Sequence, residues 1–486
     1  MFSRLKRRLE DSMSFISLTF AVFFFVFVCL YHLAGRFAKN GALAQKILFL
    51  AASLVFYAAA DLRFVPFLAY AILLSYFAAI ILDSETQKNR KALFALFMAA
   101  DFVPLLFCKY NPSHFIFPLG ISFFTFQSAG YIADCQTKKI RAERNFLNVA
   151  LFISFFPTIS NGPIQRAQKL IPQFSEVHHF EYESAADGVK LFAWGMFKKL
   201  CVADRIAAYV NYVYGGAESQ YGSALVLATV LYFFQIYCDF SGYSDMAIGA
   251  AKYCGFDVGR NFNYPYIAQS VGDFWRRWHI SLSSWFRDYV YIPLGGSRVA
   301  LPRIYLNLLI TFLASGIWHG AGWTFVIWGL LHGIFICVGR ATKSFWEKSR
   351  LPPLVRVLIT FSLVALSLVF FRAKDLGQAF LVMRKTVEFP KAAAALFASG
   401  VGIKDFAKEI FALNNGAYGY FSGMAATMIL LCAMCACEIT VRKSGGVEWM
   451  KKRPAALRWL LYFVLCAVIF YCSKTDMSGN FIYNNF

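Results

Sequence analysis

Thirteen apolar runs, five of the intervals between them short and basic, constrain this chain more than any other feature. They lie near residues 14–35, 46–60, 63–82, 94–109, 115–132, 146–160, 187–203, 221–240, 303–318, 323–338, 354–371, 421–439 and 456–472. A full crossing of a bilayer takes roughly 17–25 helical residues. Of the 486 residues, 59% are hydrophobic and 15% charged, against about half and about a quarter in soluble domains. The expectation is an all-α polytopic membrane protein with about eleven transmembrane helices. Runs that are short or carry Gly and Pro are expected to be re-entrant or interfacial.

A net charge of +21 would point to nucleic acid in a soluble chain. Here the charges fall between apolar runs, so they report orientation, and no nucleic-acid partner is expected. The loops at 36–46 (Arg36, Lys39, Lys46), 83–92 (Lys88, Arg90, Lys91), 136–145 (Lys138, Lys139, Arg141, Arg144), 340–356 and 440–453 are all basic and can share the cytoplasmic side. That puts the N-terminus outside, in conflict with Arg4, Lys6, Arg7 and Arg8. Either residues 1–12 form an N-terminal extension or translation begins at Met13. The first run is too long and apolar for a cleaved signal peptide, and no clear small-residue cleavage site follows it. Cysteines such as Cys29, Cys337 and Cys466 sit within apolar runs and behave as small hydrophobes. Cys432, Cys435 and Cys437 lack a nearby histidine, so no metal site is expected. With no repeat and no clear linker, residues 1–486 read as one membrane-embedded domain.

Chemistry concentrates at two histidines. His319 stands in a helix break, Gly316-Ile317-Trp318-His319-Gly320-Ala321-Gly322-Trp323, flanked by apolar sequence. An ionisable side chain at membrane depth is costly and marks a functional site by default; the alternative is a hydrogen-bonded core histidine. His279 lies forty residues earlier, in a run crowded with aromatics and arginines. There Ser270 and Asp273 have capping-box spacing. At 100° per residue, Phe274, Trp275, Trp278, Leu282, Trp285, Phe286 and Tyr289 share an arc of about 120°, with Arg276, Ser283, Ser284 and Arg287 opposite. The pattern predicts one amphipathic helix over 270–291 lying at the interface, where His279 is either functional or merely packed beside tryptophan.

Upstream, Asp239, Ser241, Ser244 and Asp245 follow an apolar run. Buried carboxylates need partners; these orient a histidine or build a structural network. Residues 156–163 break another run. Irregular backbone at membrane depth must be buried in protein or line a cavity. His332 reads as structural, and His32, His114, His178 and His179 receive no role.

Five motifs carry a family resemblance: FPTISNGPIQR (156–166), YCDFSGYSDMAIG (237–249), NFNYPYIAQSVGDFWRRWHISLSSWFRDYVYIPLGG (261–296), GIWHGAGWTF (316–325) and LVFFRA (368–373). In order and spacing the chain resembles the membrane-bound O-acyltransferase (MBOAT) family, in its alginate O-acetyltransferase-like branch, with the teichoic-acid D-alanyl transfer protein more distant. The resemblance implies transmembrane helices around a central tunnel, His319 as the catalytic histidine and His279 as the second. It implies acetyl-CoA as the acyl-donor substrate, with no bound cofactor. It also implies passage of the acetyl group out of the cytoplasm across a bacterial inner membrane. A periplasmic or surface acetyltransferase of the SGNH type then completes transfer to an extracellular polysaccharide. Asn161, the tail at 481–486 and the extension before Met13 depart from the branch pattern.

On that basis a neutral imidazole takes a proton from an attacking hydroxyl as the thioester carbonyl becomes tetrahedral. Burial favours a neutral imidazole, whereas a helix C-terminus favours a charged one. Trp318, Asn307 and backbone N–H groups are candidate donors to the oxyanion. Arg276, Arg277, Arg287, Lys198 and Lys199 are candidates for the donor's phosphates, and Trp275 and Trp278 for support of the site. The competing readings are D-alanyl or other acyl transfer to teichoic acid, a transporter in which His and Asp relay protons, and a non-catalytic scaffold. The polymer stays open among alginate, another exopolysaccharide, cellulose, peptidoglycan and teichoic acid.

Overall fold

The computed structural model describes residues 13–84, 89–111, 117–398, 400, 402 and 418–473. Arg4, Lys6, Arg7, Arg8, Lys88, His114 and the 481–486 tail lie outside them. The apolar runs become α1 (Leu18–Phe37), α2 (Gly41–Ala60), α3 (Val65–Asp83), α4 (Arg90–Tyr110), α5 (Ile121–Gln136), α6 (Phe146–Ser154), α7 (Tyr182–Met196), α8 (Asp204–Gly215) and α9 (Gly222–Tyr253). They continue as α10 (Val271–Trp275), α11 (Ile280–Phe286), α12 (Leu301–His319), α13 (Trp323–Ala341), α14 (Pro353–Arg372), α15 (Leu376–Ala398), α16 (Tyr418–Val441) and α17 (Ala455–Ser473).

Among the described residues ten of these are long and apolar enough to cross a membrane: α1–α4, α9, α12–α14, α16 and α17. The count is one below the eleven expected from sequence, because three apolar runs serve the interior instead. Every residue of α5 from Ile121 to Cys135 is buried. The run at 146–160 gives only the nine residues of α6, then non-helical backbone buried in protein across 156–163, as its position at membrane depth requires. The run at 187–203 ends in a π-helical turn, Phe197–Ala203, with every residue buried. A helix apolar all round is wanted equally by lipid and by a protein core, so hydropathy alone does not separate the two.

Packing between spans relies on close backbone approach rather than on hydrophobic drive, since lipid tails are as apolar as leucine. α7 and α9 show this. A Cβ on Gly195 would lie 2.4 Å from the Gly242 carbonyl oxygen, and one on Gly249 would lie 2.5 Å from that of Gly188. The pairs 188/249 and 195/242 keep one antiparallel register, seven residues apart on each helix. Contacts this short permit Cα–H···O attraction across the seam. α12 and α13 close the same way, a Cβ on Gly329 meeting the Phe312 carbonyl at 2.5 Å.

Polar contacts fix the sidedness. Lys451, in the basic 440–453 loop, bonds Asp187 at 3.1 Å, and Lys252 reaches the same carboxylate at 3.4 Å. The start of α7 and the end of α9 therefore share a face with that loop. Gln45 donates to the His178 carbonyl at 2.7 Å, and the Tyr76 hydroxyl donates to that of Arg144 at 3.0 Å. α13 ends at the basic 340–356 loop. Its hairpin partner α12 thus begins on the basic face and carries His319 to the opposite end. By the positive-inside rule the basic face is cytoplasmic.

Gly195→Val or Gly242→Val will force α7 and α9 apart and sharply reduce the yield of folded, detergent-soluble protein. Gly339→Ala, where a Cβ meets nothing within 4 Å, will leave yield and melting unchanged or slightly raised, because alanine favours the helix by roughly 0.5–1 kcal/mol. Fluorescence-detected size exclusion and thermal melts check both outcomes.

Candidate active site

From the cytoplasmic end of α9 the chain between 254 and 300 turns into the interior and returns to the start of α12 on the same face. The Ser270 hydroxyl accepts from the Asp273 N–H at 3.0 Å, the cap that the spacing predicts. The helix then stops after five residues. The continuous interfacial helix expected over 270–291 is in fact α10, a break, α11 and a π-helical turn, Arg287–Tyr291. The break centres on His279, in the left-handed region at φ 42° and ψ 56°. Its cause is tertiary: the Asn263 N–H donates to the Arg277 carbonyl at 2.9 Å, and the Ile280 N–H to that of Asn261 at 2.8 Å. These bonds take groups that a continuous helix would use itself. Left-handed backbone in a non-glycine residue costs about 1–2 kcal/mol and persists where its surroundings over-determine it. The wheel still sorts burial correctly: Phe274, Trp278, Leu282, Trp285 and Phe286 are buried, and Arg276 and Arg287 are exposed.

Asn261 sets the chemistry of His279. Its Oδ1 accepts from the Ser281 N–H at 3.2 Å and from the Ser281 hydroxyl at 2.9 Å, and lies 3.1 Å from His279 Nδ1. Its Nδ2 donates to the Ser244 hydroxyl at 3.2 Å. A carbonyl oxygen only accepts, so the imidazole proton sits on Nδ1 and the lone pair on Nε2. Burial pushes the His279 imidazole down to about 3, so it stays neutral at physiological pH. Phe240 lies edge-on at 4.6 Å between ring centroids.

His319 ends α12 inside an aromatic cage. Trp318, Trp328 and Phe371 meet it edge-on at 4.7, 5.0 and 5.2 Å between centroids. The Trp318 ring also stands 6.4 Å from that of His279. His279 rides on a segment entering from the basic face and His319 on the far end of a crossing helix, so the two come from opposite sides to flank one indole. The Trp318 and Trp328 indole N–H groups are buried and have no hydrogen-bond partner among the described residues. An orphaned buried donor costs about 1–3 kcal/mol and calls for an explanation.

Several residues singled out from sequence serve other ends. Asp239 pairs with Lys199 at 2.6 Å, and Lys199 with Asp204 at 2.8 Å. Asp245 pairs with Lys198 at 2.6 Å, and Lys198 donates to the Ser241 hydroxyl at 3.0 Å. Neither carboxylate is placed to orient a histidine, and both lysines are buried, so neither lines a phosphate-binding mouth. Breaking such a buried pair costs about 3–5 kcal/mol. Lysines inside an apolar run already required buried partners, and that signal was available in the sequence. Asn307 is no oxyanion donor: it precedes His319 by twelve residues on one helix, about 18 Å at 1.5 Å per residue. Its amide instead donates to the Gly296 carbonyl at 3.3 Å.

Trp275 donates to His332 Nδ1 at 3.2 Å, while His332 Nε2 lies 2.9 Å from the Ser367 hydroxyl. His332 is thereby held as a structural group, and Trp275 supports it rather than His279 or His319. Trp278 is core, stacked on Phe274 at 5.4 Å. Arg277 holds the corner through Asp273 at 3.0 Å and the Asn263 carbonyl at 3.3 Å. Exposed Arg276 and Arg287 make only local pairs, with Asp273 at 3.5 Å and Asp288 at 2.8 Å. Sequence reasoning missed Asn261, Trp328 and Lys109.

The helical body carries two buried histidines close to one indole, and comparison with known proteins gives the class. Residues 49–372 match the family described as MBOAT, membrane-bound O-acyltransferase family, and the chain belongs to it. It is an O-acyltransferase with a multi-pass, all-α body. It is 34% identical to the peptidoglycan O-acetyltransferase of Helicobacter pylori, over 94% of each chain. It is 37% identical to a protein of Azotobacter vinelandii named "Probable alginate O-acetylase AlgI", over 74% of this chain and 75% of that one. It is 30% identical to the teichoic acid D-alanyltransferase of Bacillus subtilis, over 54% of this chain and 70% of the relative.

Asn261→Leu removes the acceptor from His279 Nδ1 and from Ser281. Each orphaned donor costs about 1–3 kcal/mol, so the variant will melt well below wild type and lose transferase activity. Asn261→Asp, which keeps the acceptor oxygen, will melt closer to wild type.

Proposed function

We propose that this protein takes an acetyl group from acetyl-CoA at the cytoplasmic face of the bacterial inner membrane and moves it outward for O-acetylation of an extracellular polysaccharide. The observation that carries this reading is the pair of histidines, carried by segments that enter from opposite faces, that both come close to Trp318. The acceptor hydroxyl oxygen bonds to the thioester carbonyl carbon while His319 takes its proton. The carbonyl electrons move onto oxygen, facing the Trp318 and Trp328 N–H groups. As the oxyanion collapses, the C–S bond breaks and the proton leaves with the thiolate. His279, neutral with its lone pair on Nε2, faces the same indole and is the second histidine of the site.

The donor's phosphates stay outside the hydrocarbon, near exposed Arg276 and Arg287 on the arm that enters from the basic face. An SGNH-type acetyltransferase on the outer side receives the acetyl group and completes transfer to the polymer. The relative named for peptidoglycan matches over 94% of both chains, which supports cell-wall glycan as that polymer.

His319→Ala, compared with wild type at matched membrane abundance, will lower acetyl ester on the cell's glycan by at least about a hundredfold, the contribution of a positioned base. Ester chromatography of purified wall polymer reads this directly. Unchanged acetylation would move the transporter or scaffold reading to the front.

A further inference from the structure

The last four carbonyls of an α-helix have no partner within it. In α12 these belong to residues 316–319, the turn that presents His319. The Gly320 N–H reaches back to the Gly316 carbonyl at 3.3 Å. The next two are met from a distant part of the chain. The Tyr110 hydroxyl donates to the Ile317 carbonyl at 3.3 Å, and the Lys109 ammonium donates to the Trp318 carbonyl. Lys109 and Tyr110 are the final residues of α4. Lys109 Nζ also sits 5.6 Å from the centre of the Trp318 ring, the indole between the two histidines.

This arrangement supplies charge as well as hydrogen bonds. A helix C-terminus carries roughly half a negative charge and favours a cation in its last turn. The end of α12 favours the protonated form of His319 in opposition to the burial of its ring, and a protonated imidazole accepts no proton. The titratable groups that act on His319 among the described residues include Lys109 from α4, His279 from the re-entrant segment and His332 from α13; α14 contributes Phe371. His332 Nδ1 accepts from the Trp275 indole, which a protonated ring could not do, and His279 is neutral. Lys109 is therefore the basic side chain placed to offset the helix end, through its contacts with the Trp318 carbonyl and the Trp318 indole face.

We infer that Lys109, seated with Tyr110 on the end of α12, is a positioning residue that holds His319 in place and keeps it available as a proton acceptor. The inference rests on the reading of His319 as the base. Neither residue touches the reacting atoms in this account; both act through the helix end.

The test uses the full-length protein in proteoliposomes, with acetyl-CoA as donor, and reads the pH dependence of acetyl release. Diethyl pyrocarbonate modification of His319, followed by mass spectrometry, gives a second readout that needs no turnover. Lys109→Gln keeps a carbonyl-directed donor but loses the charge. It will move the acid limb of the rate profile up by about one pH unit, since 1.36 kcal/mol is one unit and helix-end charges contribute up to about 2 kcal/mol. His319 modification will then fall at a fixed pH below neutrality. Lys109→Arg will keep the wild-type limb, and melting of each variant reports the cap alone. A wild-type acid limb in folded Lys109→Gln overturns the inference while leaving His319 as base. Full activity in His319→Ala overturns the underlying reading instead.

Discussion

Hydrocarbon will not solvate a polar group, so each one placed at depth must find its partner within the protein. That constraint shapes every part of this acyltransferase. It turns the apolar runs into helices and buries the irregular backbone of 156–163. It matches Lys198 and Lys199 with carboxylates from other segments. It also assigns Asn261 four partners, Ser281 twice, His279 and Ser244. Against that background, buried groups without a hydrogen-bond partner among the described residues mark places to examine. The indole N–H groups of Trp318 and Trp328 are two of them, and both lie against His319.

The same constraint separates structural polar residues from reactive ones. His332 has both ring nitrogens engaged and is fixed as part of the wall. His279 has its Nδ1 committed to Asn261, which dictates where its lone pair resides. His319 is surrounded by aromatic edges on three sides, with a lysine on its helix end. Three histidines in one apolar interior thus receive three treatments, and the differences follow from hydrogen-bond partners rather than from depth.

Much of this was legible in the sequence, and the rest had physical reasons to be hidden. Run length disclosed the multi-pass membrane architecture. His319 was conspicuous because an imidazole between glycines in apolar sequence is costly. The aromatic wheel over 270–291 sorted buried from exposed residues, yet it predicted one helix where tertiary bonds from Asn261 and Asn263 impose a left-handed break at His279. No periodicity encodes a competitor for hydrogen bonds that arrives from sixteen or so residues away. Asn307 was misplaced because a helical position gives direction but not depth, and twelve residues of rise set it apart from the reaction centre. Lys109 was invisible for a simpler reason: its carbonyl partner is 209 residues distant.

The central claim is that the two histidines are reached from opposite faces of one membrane. Side-specific labelling tests it most directly, with single cysteines introduced as Arg276→Cys on the re-entrant arm and Ala321→Cys beside His319, both exposed positions. Intact cells and inverted vesicles would be treated with a membrane-impermeant thiol reagent, and each site read by peptide mass spectrometry. The account predicts that position 276 labels only in inverted vesicles and position 321 only in intact cells. Labelling of both positions from the same face would contradict it.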